Sequence, residues 1–235
     1  MLSDDYLIRM IRQGVAVLAR IVGLKKAGDY QEALQEVDQS LEQILGLDVE
    51  LIRSLDDESL YRILTKNEQL DLERLGFLAD LFKEEGDILN LQDQKPGSNN
   101  CYIRSLNYYL MMSINQDPSH PIELSQKIKE IIQILGDYDL PNETLFDLFC
   151  YFENIGEYAN ADNILAKLAT RPEVKSDVKS EMSSFYHRLL EINQKELTAG
   201  GLSLQQIISK LKGIEERCPT PALPDRLRHT QAMPV

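Results

Sequence analysis

Most of the features that usually announce a function are missing from this chain. Nowhere do about 18 consecutive apolar residues occur, the length a membrane-spanning helix requires. The most apolar N-terminal stretch, VAVLARIVGL, is short and carries Arg20. Cysteines number only three, Cys101, Cys150 and Cys218, widely spaced and odd in count. They read as reduced thiols of a cytoplasmic protein, not as a disulfide framework. Basic charge is also short: 25 Lys and Arg against 38 Asp and Glu leave a net charge of −13. A field of that sign repels a nucleic-acid backbone, so no nucleic-acid partner is expected. The first residues, MLSDDY, are acidic and lead into a periodic segment, unlike a secretory leader. No stable membrane insertion is expected either.

Chemical motifs are equally scarce. The sequence has no G-x-x-x-x-G-K-[ST] phosphate loop, no H-E-x-x-H and no Cys-x-x-Cys. His120, His187 and His229 lack metal-ligand spacing, so no metal site, cofactor or catalytic residue is assigned. His120 reads as a turn residue before Pro121. His187, four residues before Glu191, reads as a helix-surface contact. Cys150, in LFDLFCYFENIG, reads as packing, and neither Cys101 nor Cys218 has an activating histidine nearby in sequence. The adjacent pairs Asp56-Asp57 and Glu84-Glu85 read as helix ends or solvated faces. Two carboxylates across a cleft, which glycoside hydrolysis would need, cannot be assembled from adjacent positions.

What the chain does have is helical periodicity. Leu7, Ile11, Val15, Leu18 and Val22 recur at steps of four and three, predicting a helix over 5–26 that Gly28-Asp29 ends. A second, at 30–45, buries Ala33, Leu34, Val37 and Leu41 and stops at Gly46. Two short helices are expected within 48–66, divided at Asp56-Asp57, and a longer one at 69–85 broken by Gly86-Asp87. QDQKPGSNN, residues 92–100, reads as a loop. Helix resumes through CYIRSLNYYLMM and restarts at His120-Pro121. Pro141 opens a helix ending at Gly156, and 158–169 packs back on it. A helix at about 173–198 ends at Gly200-Gly201, and Ser203 caps a last one to about 217. No segment alternates as a strand does. The Pro-rich 218–235 is a tail.

One corner is written twice. Gly28, Tyr30 and Ala33 match Gly156, Tyr158 and Ala161, each set with an acidic residue after the glycine. The glycine relaxes the turn, the tyrosine fills the wedge beside it, and the alanine lets the second helix approach closely. This pattern resembles the tetratricopeptide repeat, whose helix pairs turn on a glycine before a small residue. The interval between the corners falls short of four periods of about 34 residues, so the repeat is degenerate. With DYLIRMIRQ, LGFLADLF and LPNETLFDLFCYFENIGEYANADNIL, the stretch of about 5–170 resembles an uncharacterised bacterial family of unknown function with tetratricopeptide-like helical pairs. That resemblance implies an all-α fold and supplies no catalytic residue. Residues 171–235 match no motif.

The expected architecture is all-α, with antiparallel helix pairs in a degenerate tetratricopeptide-like right-handed array. Residues 1–217 form a single extended domain with pairs near 5–45, 69–117 and 142–169. Its expected work is that of a helical scaffold that binds a protein or peptide or associates with itself. Tyr102, Tyr108, Tyr109 and Met112 are the contact set, with Asn99 and Asn100 at its edge. Core packing of the same aromatic cluster is the competing reading. Arg9, Arg12, Arg20, Lys25 and Lys26 make the first helix basic, facing either the nine acids of 31–60 or an outside partner. An uncharacterised hydrolase or acid/base enzyme and a small-molecule-binding regulatory protein are the alternatives.

Overall fold

The computed structural model describes the backbone of residues 2–66, 69–116 and 124–216, and the side chains within 14–65, 69–116, 124–174 and 177–214. The expected start at His120-Pro121, the tail, Cys218, His229 and the side chains of Arg9 and Arg12 lie outside the described residues. Twelve helices are described: α1 Leu2–Ala27, α2 Tyr30–Leu45, α3 Val49–Ser54, α4 Asp57–Leu64, α5 Leu72–Leu91, α6 Lys95–Asn115, α7 Ser125–Leu135, α8 Asn142–Asn154, α9 Tyr158–Leu168, α10 Lys175–Leu190, α11 Gln194–Ala199 and α12 Leu204–Glu216. Among the described residues the fold is all-α apart from one two-residue pairing, β1 Thr65–Lys66 with β2 Gln69–Leu70, antiparallel, which the sequence pattern did not suggest. Two residues are too few to show an alternation.

The chain groups into two compact units, residues 1–151 and 152–235. In the first, α5 and α6 form an antiparallel hairpin. Gly76 lies against Met112, the Ser105 hydroxyl donates to the Ala79 carbonyl at 2.7 Å, and Gly86 and Gly97 lie against Tyr102 and Leu89. As the α5 position rises, its α6 partner falls. Helices α1, α2 and α7 pack on this hairpin. Leu75, Leu78, Ala79, Phe82, Leu106, Tyr108 and Leu110 are buried at its seam. In the second unit α10 packs with α9 and α12, burying Ala161, Leu165, Leu168, Phe185, Leu189 and Ile207.

Three expectations are corrected. Gly86-Asp87 does not break α5, because Gly86 supplies the clearance for the Tyr102 ring and Asp87 is held by side chains from two other helices. QDQKPGSNN is not a loop: only Gln92–Gln94 connect, and Lys95–Asn100 open α6, with Pro96 in the first turn, where no backbone donor is lost. The helix expected at 173–198 is two helices. Asn193 adopts an extended backbone and accepts from the Glu196 amide at 3.0 Å, capping α11.

The repeated corner is a backbone motif. At Gly28 (φ +85°) and Gly156 (φ +76°) the chain turns left-handed. The next amide reaches back five residues, Asp29 to the Leu24 carbonyl at 3.0 Å and Glu157 to the Phe152 carbonyl at 2.9 Å. Asp29 (φ −82°, ψ 56°) and Glu157 (φ −84°, ψ 62°) then enter the next helix with nearly the same dihedrals. A third copy was hidden from the sequence. Asp93 takes the glycine's place at φ +62°, Gln94 donates to the Leu89 carbonyl at 2.8 Å with φ −90° and ψ 61°, and α6 begins at the next residue. Ala33, Ser98 and Ala161, each five residues after the left-handed position, are small and buried.

Candidate functional site

Polar side chains in the first unit are organised around carboxylates shared between a tyrosine and a cation. Asp87 accepts from the Tyr102 hydroxyl at 2.9 Å and from Lys25 at 2.6 Å, joining α5 to α6 and α1. Asp57 accepts from Tyr108 at 2.8 Å, Arg104 at 3.1 Å and Asn107 at 2.9 Å. Asp80 accepts from Tyr109 and from Lys127 at 2.6 Å. The second unit repeats the device, with Asp162 accepting from Tyr186 and from Lys210 at 2.6 Å. Burial, then the adjacent carboxylates, raises the pKa of Tyr102, Tyr109 and Tyr186; burial raises that of Tyr108 too. Each hydroxyl therefore keeps its proton and acts as a donor. The arrangement links helices and satisfies polar groups that burial would otherwise penalise.

This network locates the expected contact set. Tyr102, Tyr108, Tyr109 and Met112 are all buried, so as placed none of the three rings faces solvent, in accord with the packing alternative. Asn99 is half-buried and Asn100 exposed, both inside α6 and not at a loop edge. The corner residues Ala33, Tyr158 and Ala161 are buried and Tyr30 is half-buried. The basic face of α1 meets the chain's own acids: Arg20 pairs with Glu32 at 3.3 Å and Glu36 at 3.0 Å, and Lys25 with Glu84 at 2.5 Å. Glu84-Glu85 is accordingly not a solvated pair. Glu85 is 3% exposed, with Arg53 on its Oε1 at 2.6 Å. His187 is exposed and makes no hydrogen bond to Glu191. Cys101 is buried and Cys150 half-buried. Among the described residues, no three His, Cys, Asp or Glu side chains cluster as metal ligands.

A groove between α1, α2, α5 and α6 was not legible in the sequence. Its volume is about 280 Å³, and Val15, Leu18, Ile44, Leu72, Phe77 and Met112 make its surface apolar. Val15 belongs to the apolar stripe of α1, yet it is 63% exposed. Gly14 brings the α1 backbone close to the Phe77 ring: a Cβ there would sit 3.4 Å from it. Of the expected contact residues, Met112 alone lines this groove. Glu73, in the first turn of α5, is only partly buried as a residue. Its Oε2, however, is covered and has no hydrogen-bond partner. Desolvation, then the neighbouring Asp71 charge, raises its pKa. Arg74 beside it pairs with Asp71 at 3.5 Å. Nothing in LDLERLGF distinguishes Glu73 from a surface acid.

The second unit holds a cavity of about 420 Å³ lined by Met182, Tyr186, Lys179, Lys210 and Ile214. Lys210 is already engaged by Asp162. Although this cavity is larger, the first groove is the stronger docking candidate, because it pairs an uncovered apolar face with an unsatisfied carboxylate.

All-α packing, degenerate corners and an apolar groove define a multi-helix protein of the kind that can serve as an interaction scaffold. The chain belongs to a family of unknown function (DUF6483), which matches residues 1–218. That match runs past the 5–170 of the sequence resemblance and takes in α10, α11 and α12. No curated protein and no solved structure matches the chain. No helix among the described residues is long and apolar enough to cross a membrane.

Proposed function

We propose that this protein is a non-enzymatic helical scaffold that binds a protein or peptide through the groove of its first unit. The observation that carries this reading is the groove's apolar lining, with Val15 left 63% exposed. Apolar area of this kind gains free energy when a partner covers it, at roughly 25 cal/mol per Å². The three equivalent corners support a degenerate tetratricopeptide-like array of antiparallel pairs, an architecture that presents extended surfaces.

The test is affinity isolation with wild type and Val15→Glu side by side, together with sedimentation of each alone. Val15 is exposed, so the charge should leave folding intact while spoiling an apolar contact. A partner, or a second copy, held by wild type and lost from Val15→Glu is the expected result. Equal recovery with both proteins would remove the groove from the reading.

A second reading, a small-molecule-binding regulatory protein, draws on the 420 Å³ cavity of the second unit. A reproducible ligand-dependent rise in Tm, abolished by Met182→Trp, would favour it.

A further inference from the structure

Resting on the scaffold reading, we infer that the groove of the first unit takes a large apolar side chain flanked by a lysine or arginine, as on one face of an amphipathic basic helix, with Glu73 accepting from the cation. Two independent features converge there. The lining supplies a slot for an apolar side chain between Val15, Leu18, Phe77 and Met112. Glu73 lines the same groove as a half-exposed residue, and its Oε2, covered and satisfied by no described residue, is an acceptor that rotation of the side chain presents to an occupant. A buried acceptor left empty is costly, and a donor brought by the occupant removes that cost.

Charge selects the donor's sign. Asp71 and Asp80 lie near the same rim, but Asp71 is engaged by Arg74 and Asp80 by Lys127. Glu73 is the carboxylate left over. At the scale of the chain, a net charge of −13 attracts a basic partner and repels an acidic one. An uncharged apolar segment would fill the slot and leave the carboxylate desolvated. An acidic one would be rejected outright. Helical presentation follows from the groove running between helices, where apolar anchors three or four residues apart can be received with a cation on the adjoining turn.

The experiment is selection of a displayed random peptide library on the full-length protein, run in parallel on Glu73→Gln and Val15→Glu. Circular dichroism and Tm verify that all three are folded. Enriched sequences on wild type should place Lys or Arg beside a large apolar residue. The best of them, remade with citrulline for Arg or norleucine for Lys, should bind wild type about tenfold more weakly or worse. On Glu73→Gln that difference should vanish while the apolar preference persists. Enrichment of apolar sequences with no cation preference would overturn the inference and leave the scaffold reading standing. Selection that is the same on Val15→Glu as on wild type, or no enrichment at all, would overturn both.

Discussion

Gly23 and Gly86 both sit inside long helices, yet substitution should move stability in opposite directions. A Cβ at Gly23 would meet nothing within 4 Å, whereas at Gly86 it would lie 2.8 Å from the Tyr102 ring. Gly23→Ala should raise stability by up to about 1 kcal/mol through helix propensity. Gly86→Ala gains the same propensity but must displace a buried ring bonded to Asp87, and should lose about 1–3 kcal/mol on balance. Urea unfolding of the pair checks the contrast, and equal shifts would contradict it. At Glu73 the sign runs against stability. Its folded pKa is raised, so its contribution is full below the unfolded value and is lost as pH rises through the folded one. Glu73→Gln should therefore have the higher Tm at neutral pH, with the gap closing on acidification below the ordinary carboxylate range. A carboxylate that costs stability in the empty groove is what a binding role would leave behind. Cys101 is protected by the same physics. Burial, followed by the Glu85 charge, pushes its thiol up to about 12, so iodoacetamide at mildly alkaline pH should label it only in denaturant, as read by peptide mass mapping.

Between elements, the left-handed corner can be tuned in both directions. Asp93 holds at φ +62° a conformation that costs side-chain-bearing residues roughly 1–2 kcal/mol. Aspartate tolerates it better than most, and Asp93→Gly should raise stability by up to about 1 kcal/mol; Gly28→Ala at φ +85° should lower it by a similar amount. At the C-terminal copy, Ala161 is fully buried and Asn160 exposed. Ala161→Leu should cost about 1–3 kcal/mol and Asn160→Leu far less. Asp87 adds a pH dependence. Burial opposes its ionisation, but the Lys25 hydrogen bond and charge, with Lys83 and Tyr102, outweigh that and hold its pKa below the usual carboxylate range. Its stabilisation is complete above the unfolded pKa and is lost as pH falls through the folded one. Asp87→Asn should thus be less stable than wild type at neutral pH, with the gap closing on acidification, as urea unfolding across a pH series would show.

The same corners mark how far the sequence could be read. Gly28, Gly46 and Gly156 were legible as helix ends because a left-handed glycine stops a helix by local geometry alone. Asp93 was not, since nothing local distinguishes an aspartate at φ +62° from one on a helix surface. The aromatic cluster was seen, with core packing as one of its two readings, but the carboxylates that hold its hydroxyls were not. The aspartates that hold Tyr102, Tyr109 and Tyr108 lie 15, 29 and 51 residues away, and α6 is buried on faces carrying Ser98 and Ser105 as well as Leu106. Hydropathy spacing does not register a polar residue that folding supplies with a partner.

For the molecule as a whole, charge sets how a partner arrives. A chain with net charge −13 and an isoelectric point near 4.7 should capture a basic peptide faster at low ionic strength. Added salt should slow association more than it speeds release, as surface plasmon resonance would separate. The shared carboxylates have an optical consequence as well. The chain has no tryptophan and ten tyrosines, so its ultraviolet emission is phenolic. A phenol bonded to a carboxylate gives up its excited-state energy through that bond instead of emitting. Tyr102, Tyr108, Tyr109 and Tyr186 should be dark in the native protein and brighten on unfolding, giving each helix junction its own unlabelled reporter: the Tyr→Phe substitution at that junction subtracts its share of the rise.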